Sequence, residues 1–131
     1  MAEQQKVQWE NIKTSGDALH SGRSSTQRCP VPGGWLVRHE HRASAKQSGS
    51  SMVFVSDQDH LWNMEVDPFA WEKIDESRSA NSTRLTFRAK VPGGWLLMEG
   101  YNVETWLDTR EKIGHLDLSL VFVPDETHAW K

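Results

Sequence analysis

Two stretches of the chain set an aspartate, a histidine and a tryptophan at one fixed spacing. They are Asp57, His60 and Trp62, and again Asp125, His128 and Trp130. A carboxylate beside an imidazole can hold a metal or work as an acid–base couple. The same three residues can instead serve the backbone. The aspartate then closes a turn by accepting amide N–H groups, the histidine donates to a carbonyl, and the tryptophan plugs the end of a core. The pattern occurs twice, whereas an enzyme ordinarily needs one site, so the structural role is expected.

His39, Glu40 and His41 form a second constellation. On a strand, His39 and His41 project from one face. Two such imidazoles can bind a metal, but zinc generally takes three or four protein ligands. In this half of the chain only His20 and His60 could add imidazoles, and the matching positions of the other half hold Glu99 and Tyr101. The expectation is a solvated strand face with no metal and no cofactor. Cys29 is the sole cysteine. No internal disulfide can form, and Ala89 at the corresponding place argues for a small packing residue rather than a nucleophile. No G-x-S-x-G, H-E-x-x-H, C-x-x-C or dinucleotide fingerprint is present, and no catalytic residue is assigned.

Tryptophan is the compositional outlier, with seven against a single tyrosine. Each brings a large apolar surface and one N–H donor. Trp35 and Trp95 follow directly after Pro-Gly-Gly turns and are expected to be chiefly core, with a share in lining a groove. Trp106 has no counterpart in the first half, which makes it the better surface-binding candidate. The candidate binding set is therefore Trp35, Trp95, Trp106, His39, His41, Glu99 and Tyr101.

These residues belong to an internal duplication. Val31–Leu36 recurs as Val91–Leu96, six identities in a row. Val53-Phe54-Val55 recurs as Val121-Phe122-Val123, and Trp9-Glu10-Asn11-Ile12 answers to Trp71-Glu72-Lys73-Ile74. Landmarks in the same order in both halves make chance an unreasonable source. Repeat one spans 9–62, a linker 63–70 and repeat two 71–130. At 131 residues the chain is expected to be one domain, since a half of about 60 residues is marginal alone.

The elements that would position the candidates are strands. Leu85, Phe87 and Ala89 alternate with Thr86, Arg88 and Lys90, and Leu116, Leu118, Leu120 and Phe122 alternate with Asp117, Ser119 and Val121. In the turn between, Pro presets φ and the following Gly can take the positive φ of a type II turn. These glycines are not a phosphate loop, because no Lys-Ser or Lys-Thr follows. The fold class expected is all-β: two tandem pseudo-symmetric three-stranded antiparallel meanders, packed as a small sandwich or barrel. The Pro30 strand is expected at an edge. Trp9–Ile12 is too short to classify beyond a guess at a short strand. A helical turn or two is allowed between Val103 and Ile113. Leu85, Phe87, Leu118, Leu120 and Phe122 should meet Met52 and Phe54 in a shared core, and the duplication fits descent from a two-fold homodimer.

Composition limits the function classes. With 15 Lys+Arg against 18 Asp+Glu, there is no basic footprint for nucleic acid. No apolar run approaches the roughly 18 residues of a membrane span. The polar start and lone cysteine suit a cytoplasmic protein. The leading expectation is a non-catalytic binding or protein-interaction module, with an unknown protein or small-molecule ligand and a possible homodimer. The alternative is a small His/carboxylate enzyme, with or without a metal. A single-stranded nucleic-acid binder using Trp stacking comes last.

Overall fold

The computed structural model describes residues 8–13, 23–44, 47–106 and 112–131. The described chain is all strand, turn and coil, with no helix long and apolar enough to cross a membrane. Eight strands follow in order: β1 (Glu10–Ile12), β2 (Arg23–Val31), β3 (Gly34–Ser44), β4 (Gln47–Ser56), β5 (Glu72–Arg78), β6 (Ser82–Val91), β7 (Gly94–Trp106) and β8 (Lys112–Pro124). They form two four-stranded antiparallel sheets, β1-β2-β3-β4 and β5-β6-β7-β8.

The expected three-stranded meanders are thus meanders of four. The additional strand in each begins within the Trp-Glu-x-Ile segment, β1 ending with it and β5 running on to Arg78, and pairs outside the first long strand of its repeat. Glu10 lies opposite Arg28 and Ile12 opposite Thr26, while Glu72 lies opposite Arg88. Four residues are too few to display a two-residue period, so sequence pattern alone does not separate such a strand from coil.

Two further expectations are corrected. β2, which carries Pro30, is not an edge strand but lies between β1 and β3. Proline is tolerated because β1 covers only Thr26 to Arg28 and has ended before Pro30, so the missing N–H falls beside an unpaired stretch. The segment from Val103 is not helical. β7 continues to Trp106 and pairs with β8 as far as Trp106 opposite Lys112, as its β-branched residues favour. Positions 107–111, and His20 in the first repeat, lie outside the described residues.

Both hairpins turn on the repeated Pro-Gly-Gly. Gly33 and Gly93 have φ of 85° and 77°, a region that carries a steric cost for any residue with a Cβ. The next glycine is required for a different reason. A Cβ on Gly34 would lie 2.0 Å from the Val55 carbonyl oxygen, and one on Gly94 2.1 Å from that of Val123. The chain leaving the last strand of each repeat presses against the turn, and Asp57 N donates to Gly33 O at 2.9 Å as Asp125 N donates to Gly93 O at 2.8 Å.

The pairing register shows which side chains share a face. In the first sheet, Trp35, Val37, His39 and His41 lie opposite Val55, Val53, Ser51 and Gly49; this is its tryptophan face. The like face of the second sheet carries Trp95, Leu97, Glu99 and Tyr101, opposite Val123, Val121, Ser119 and Asp117. The core uses these faces unequally. From the first sheet it takes the tryptophan face, with Trp35, Val37 and Val55 buried. From the second it takes the opposite face, with Leu85, Phe87, Leu96, Met98 and Leu120 buried. Trp62, Phe69 and Trp71, from the end of repeat one and the connection to β5, complete the cluster.

Leu85, Phe87 and Leu120 are therefore core as expected, with Leu118 and Phe122 packed against them. Met52 and Phe54 are not; both are exposed. Strand alternation turns Val53 and Val55 inward, and a one-residue change of parity exchanges every inward side chain for an outward one. β4 and β8 run alongside each other in parallel. Leu120 N donates to Ser51 Oγ at 3.2 Å, and a Cβ at Gly49 would sit 3.2 Å from the Leu116 carbonyl oxygen.

Candidate functional site

Each Asp-x-x-His-x-Trp segment is the hub of a hydrogen-bond network around the tryptophan that follows the Pro-Gly-Gly turn. Asp57 accepts from Trp35 Nε1 at 2.8 Å, from Trp62 N at 2.9 Å and from Leu61 N at 3.1 Å. Asp125 accepts from Trp95 Nε1 at 3.0 Å, from Trp130 N at 3.0 Å and from Ala129 N at 3.1 Å. His60 Nε2 lies 2.9 Å from Val31 O and 2.8 Å from Gly34 O, and His128 Nε2 lies 2.8 and 2.9 Å from Val91 O and Gly94 O. Two carbonyls can only accept, so each imidazole carries its proton on Nε2. Both histidines adopt positive φ, 51° and 52°, which brings each ring back over the hairpin.

Burial alone would push the Asp57 carboxyl up. The bonds from Trp35 Nε1 and from the Leu61 and Trp62 amides, with the nearby His60, outweigh it and hold the group below the ordinary aspartate value. Asp125 is likewise held low, first by the Trp130 amide and then by the Trp95 indole and the Ala129 amide. Both carboxylates are anchored by the fold.

An arginine on β2 and another on β6 complete the networks. Arg28 Cζ stands 4.0 Å from the Trp35 ring centroid and 4.8 Å from that of Trp62, and its Nη1 donates to Trp62 O at 2.9 Å. Arg88 is 4.2 and 4.8 Å from Trp95 and Trp130 and donates to Trp130 O at 3.1 Å. Glu10 and Glu72 pair with Arg28 and Arg88 from the short outer strands. The guanidinium lies on the electron-rich face of each indole while its N–H groups keep polar partners. These arginines are not among the sequence candidates. Their signal was available: each stands seven residues before its tryptophan in both repeats.

The hubs differ in cover. Trp62 is 5% exposed and meets Phe69 at 6.0 Å between ring centroids, whereas Trp130 is 38% exposed. Removing the Asp57 carboxylate strands the buried amide of Trp62 and the Trp35 indole N–H. Asp57→Ala should therefore cost about 2 kcal/mol, and Asp125→Ala distinctly less, because water can reach the amides beside Trp130. Urea unfolding of the two variants checks the order; an Asp125→Ala loss equal to or larger than that of Asp57→Ala would contradict it.

His39 and His41 are buried rather than solvated. The tryptophan face of the first sheet is the one turned into the core, and polar neighbours make burial tolerable. His39 Nδ1 lies 2.7 Å from Thr26 Oγ1, and Trp71 Nε1 donates to the same hydroxyl at 3.3 Å. Trp71 can only donate, so the hydroxyl accepts from it and keeps both a proton and a second acceptor position with which to meet His39 Nδ1. Trp71 also packs edge-on against His39 at 5.7 Å. Burial first, and the neighbouring His41 second, lower the His39 pKa to about 4. His41 Nδ1 lies 2.5 Å from Ser24 Oγ.

The remaining candidates are spread over the second sheet. Trp95 is buried like Trp35. Glu99 and Tyr101 are half-buried on the outward tryptophan face, with Arg84 3.7 Å from Glu99 and 4.5 Å from the Tyr101 ring. Trp106 closes β7. His39 and His41 face the core, so the seven residues do not converge on one site. Among the described residues, no three or more His, Cys, Asp or Glu side chains are grouped to hold a metal. A cavity of about 610 Å³ lies at the end of the first sheet away from its turn, lined by Arg23, Ser24, Glu40, His41, Arg42 and Ser50 among others. A second, of about 310 Å³, lies where Trp62 and Val66 approach Pro92 and His128. No family model, no curated protein and no solved structure matches the chain.

Proposed function

We propose that the chain is a non-catalytic protein-interaction module, a single domain of two repeats in a sandwich-like arrangement. Its recognition surface is the tryptophan face of the second sheet. The observation that carries this reading is the unequal cover of two like surfaces. Val53 is packed against the core and Trp62 is buried, while their counterparts Val121 and Trp130 are exposed. An outward face that exposes an aliphatic and an aromatic side chain, with charges such as Glu99 and Arg84 beside them, has the make-up of a docking face. Arg88 and Trp130 belong to the residue types that dominate binding energy at interfaces. The buried lone cysteine suits a reducing compartment, and the cytoplasm is the location proposed.

The test compares proteins retained from the native organism's lysate by the parent chain and by a Val121→Glu, Trp130→Ala variant. Both side chains are exposed, so the variant should keep a cooperative melt. Retention of a partner by the parent and its loss in the folded variant is the expected result. Identical retention by both would remove this face as the recognition surface.

A further inference from the structure

Seven large apolar side chains are exposed among the described residues: Met52, Phe54, Leu61, Val66, Ile74, Val121 and Trp130. Five of them are repeat counterparts of residues that the other half packs into the core. Met52 answers to Leu120, Phe54 to Phe122, Ile74 to Ile12, Val121 to Val53 and Trp130 to Trp62. These five are the unused complement of the contact between the sheets. That contact joins the tryptophan face of one repeat to the opposite face of the next. It leaves one face of each kind open, the outer face of the first sheet with Met52 and Phe54, and the tryptophan face of the second with Val121 and Trp130.

The polar links of the contact are also duplicated. Trp71 Nε1 donates to Thr26 Oγ1, and the counterparts are Trp9 and Thr86. Leu120 N donates to Ser51 Oγ, and the counterparts are the Met52 amide and Ser119. The members of neither counterpart pair are hydrogen-bonded to one another among the described residues, and Trp9 instead lies under Arg38, whose Cζ is 4.1 Å from its ring centroid.

We propose that a second copy of this chain docks head to tail, its first sheet laid on the tryptophan face of the second sheet. This repeats between chains the contact already made within one. The proposal rests on the interaction-module reading and names the partner. Such an interface is heterologous, joining two different surfaces. Ser25, Gln27 and Arg38 stand where Leu85, Phe87 and Met98 stand in the other repeat, so the apolar area is smaller than in the intrachain contact. The association is accordingly weak and concentration-dependent.

Sedimentation of the purified full chain from about 1 µM to about 1 mM should show a mass rising above the 15.0 kDa of one chain. Met52→Glu spoils only the first-sheet surface and Val121→Glu only the second-sheet surface. Each alone should weaken association by more than about tenfold, since a charge would be buried without a partner. Mixed together, they should form a one-to-one complex that grows no further, because each supplies the surface the other lacks. A second measurement needs no variant: dilution of the parent chain should move the amide resonances of both Met52 and Val121. A 15.0 kDa mass throughout with static resonances overturns the proposal. So does a Met52→Glu chain that associates as the parent does, which would show like faces pairing. If the pure chain stays monomeric while the lysate experiment still finds a partner lost in the variant, self-docking fails and the interaction reading stands. If both experiments fail, the interaction reading falls with it.

Discussion

A fragment of residues 71–131 should not melt cooperatively as a monomer. Alone, it would expose Leu85, Phe87, Leu96, Met98 and Leu120, all buried in the intact chain. The cover it loses includes Trp35, Val37, Val55, Trp62 and Phe69. At about 2 kcal/mol for each large apolar side chain returned to water, five amount to about 10 kcal/mol, as much as the whole stability of an ordinary domain. The fragment should be unfolded, or should associate to restore a cover. Light scattering gives its mass and a thermal melt its cooperativity. A monomer with a sharp transition near that of the full chain would establish two independent domains instead of one.

The second large effect is acid destabilisation through His39. Its folded pKa is about 4 against an ordinary 6.5. Below pH 6.5 the unfolded chain takes up a proton that the folded chain does not, so stability is complete above that pH and falls until the folded group titrates near pH 4. Between pH 7 and pH 4.5 the loss should be about 2 to 3 kcal/mol. Asp57 and Asp125, held low in the fold, act in the same direction but only below the ordinary aspartate range, so the upper part of this window belongs to imidazole. His39→Leu removes the titrating group and keeps the volume. Its stability at pH 7 can change either way, but its loss between pH 7 and 4.5 should be less than half that of the parent. Equal losses in urea titrations at the two pH values would show that His39 is not the source.

Much of the local architecture was legible because it depends on residues with one physical use. Gly33 and Gly93 take positive φ, and Asp57 and Asp125 close their turns, as their types and places implied. The burial of Trp35 and Trp95 was legible for the same reason. The choice of inward face was not. Trp95 to Met98 and Leu120 to Val123 are unbroken apolar runs, so parity gives both faces of the second sheet an apolar character. The decision is made by what lies across the core. His39 and His41 read as solvent-facing because Thr26 and Trp71, which receive His39, come from distant parts of the chain. The roles of Arg28 and Arg88 are hidden for a related reason: a charged residue on a strand is ordinarily exposed, and only the tryptophans stacked on it make partial burial favourable.

The use of opposite faces has a consequence for the gene. Tandem copies are prone to recombination that overwrites one with the other. Copying positions 23–42 onto 83–102 would keep the turn, the tryptophan and the arginine, yet would put Gln27 and Arg38 where Phe87 and Met98 are buried. The reverse transfer would replace His39 and His41, packed in the core, with Glu99 and Tyr101. An unpaired buried carboxylate or guanidinium costs several kcal/mol, comparable to the margin by which a domain is folded. Homogenised copies would therefore be purged, and the two repeats can diverge outside their shared turn motifs without becoming interchangeable.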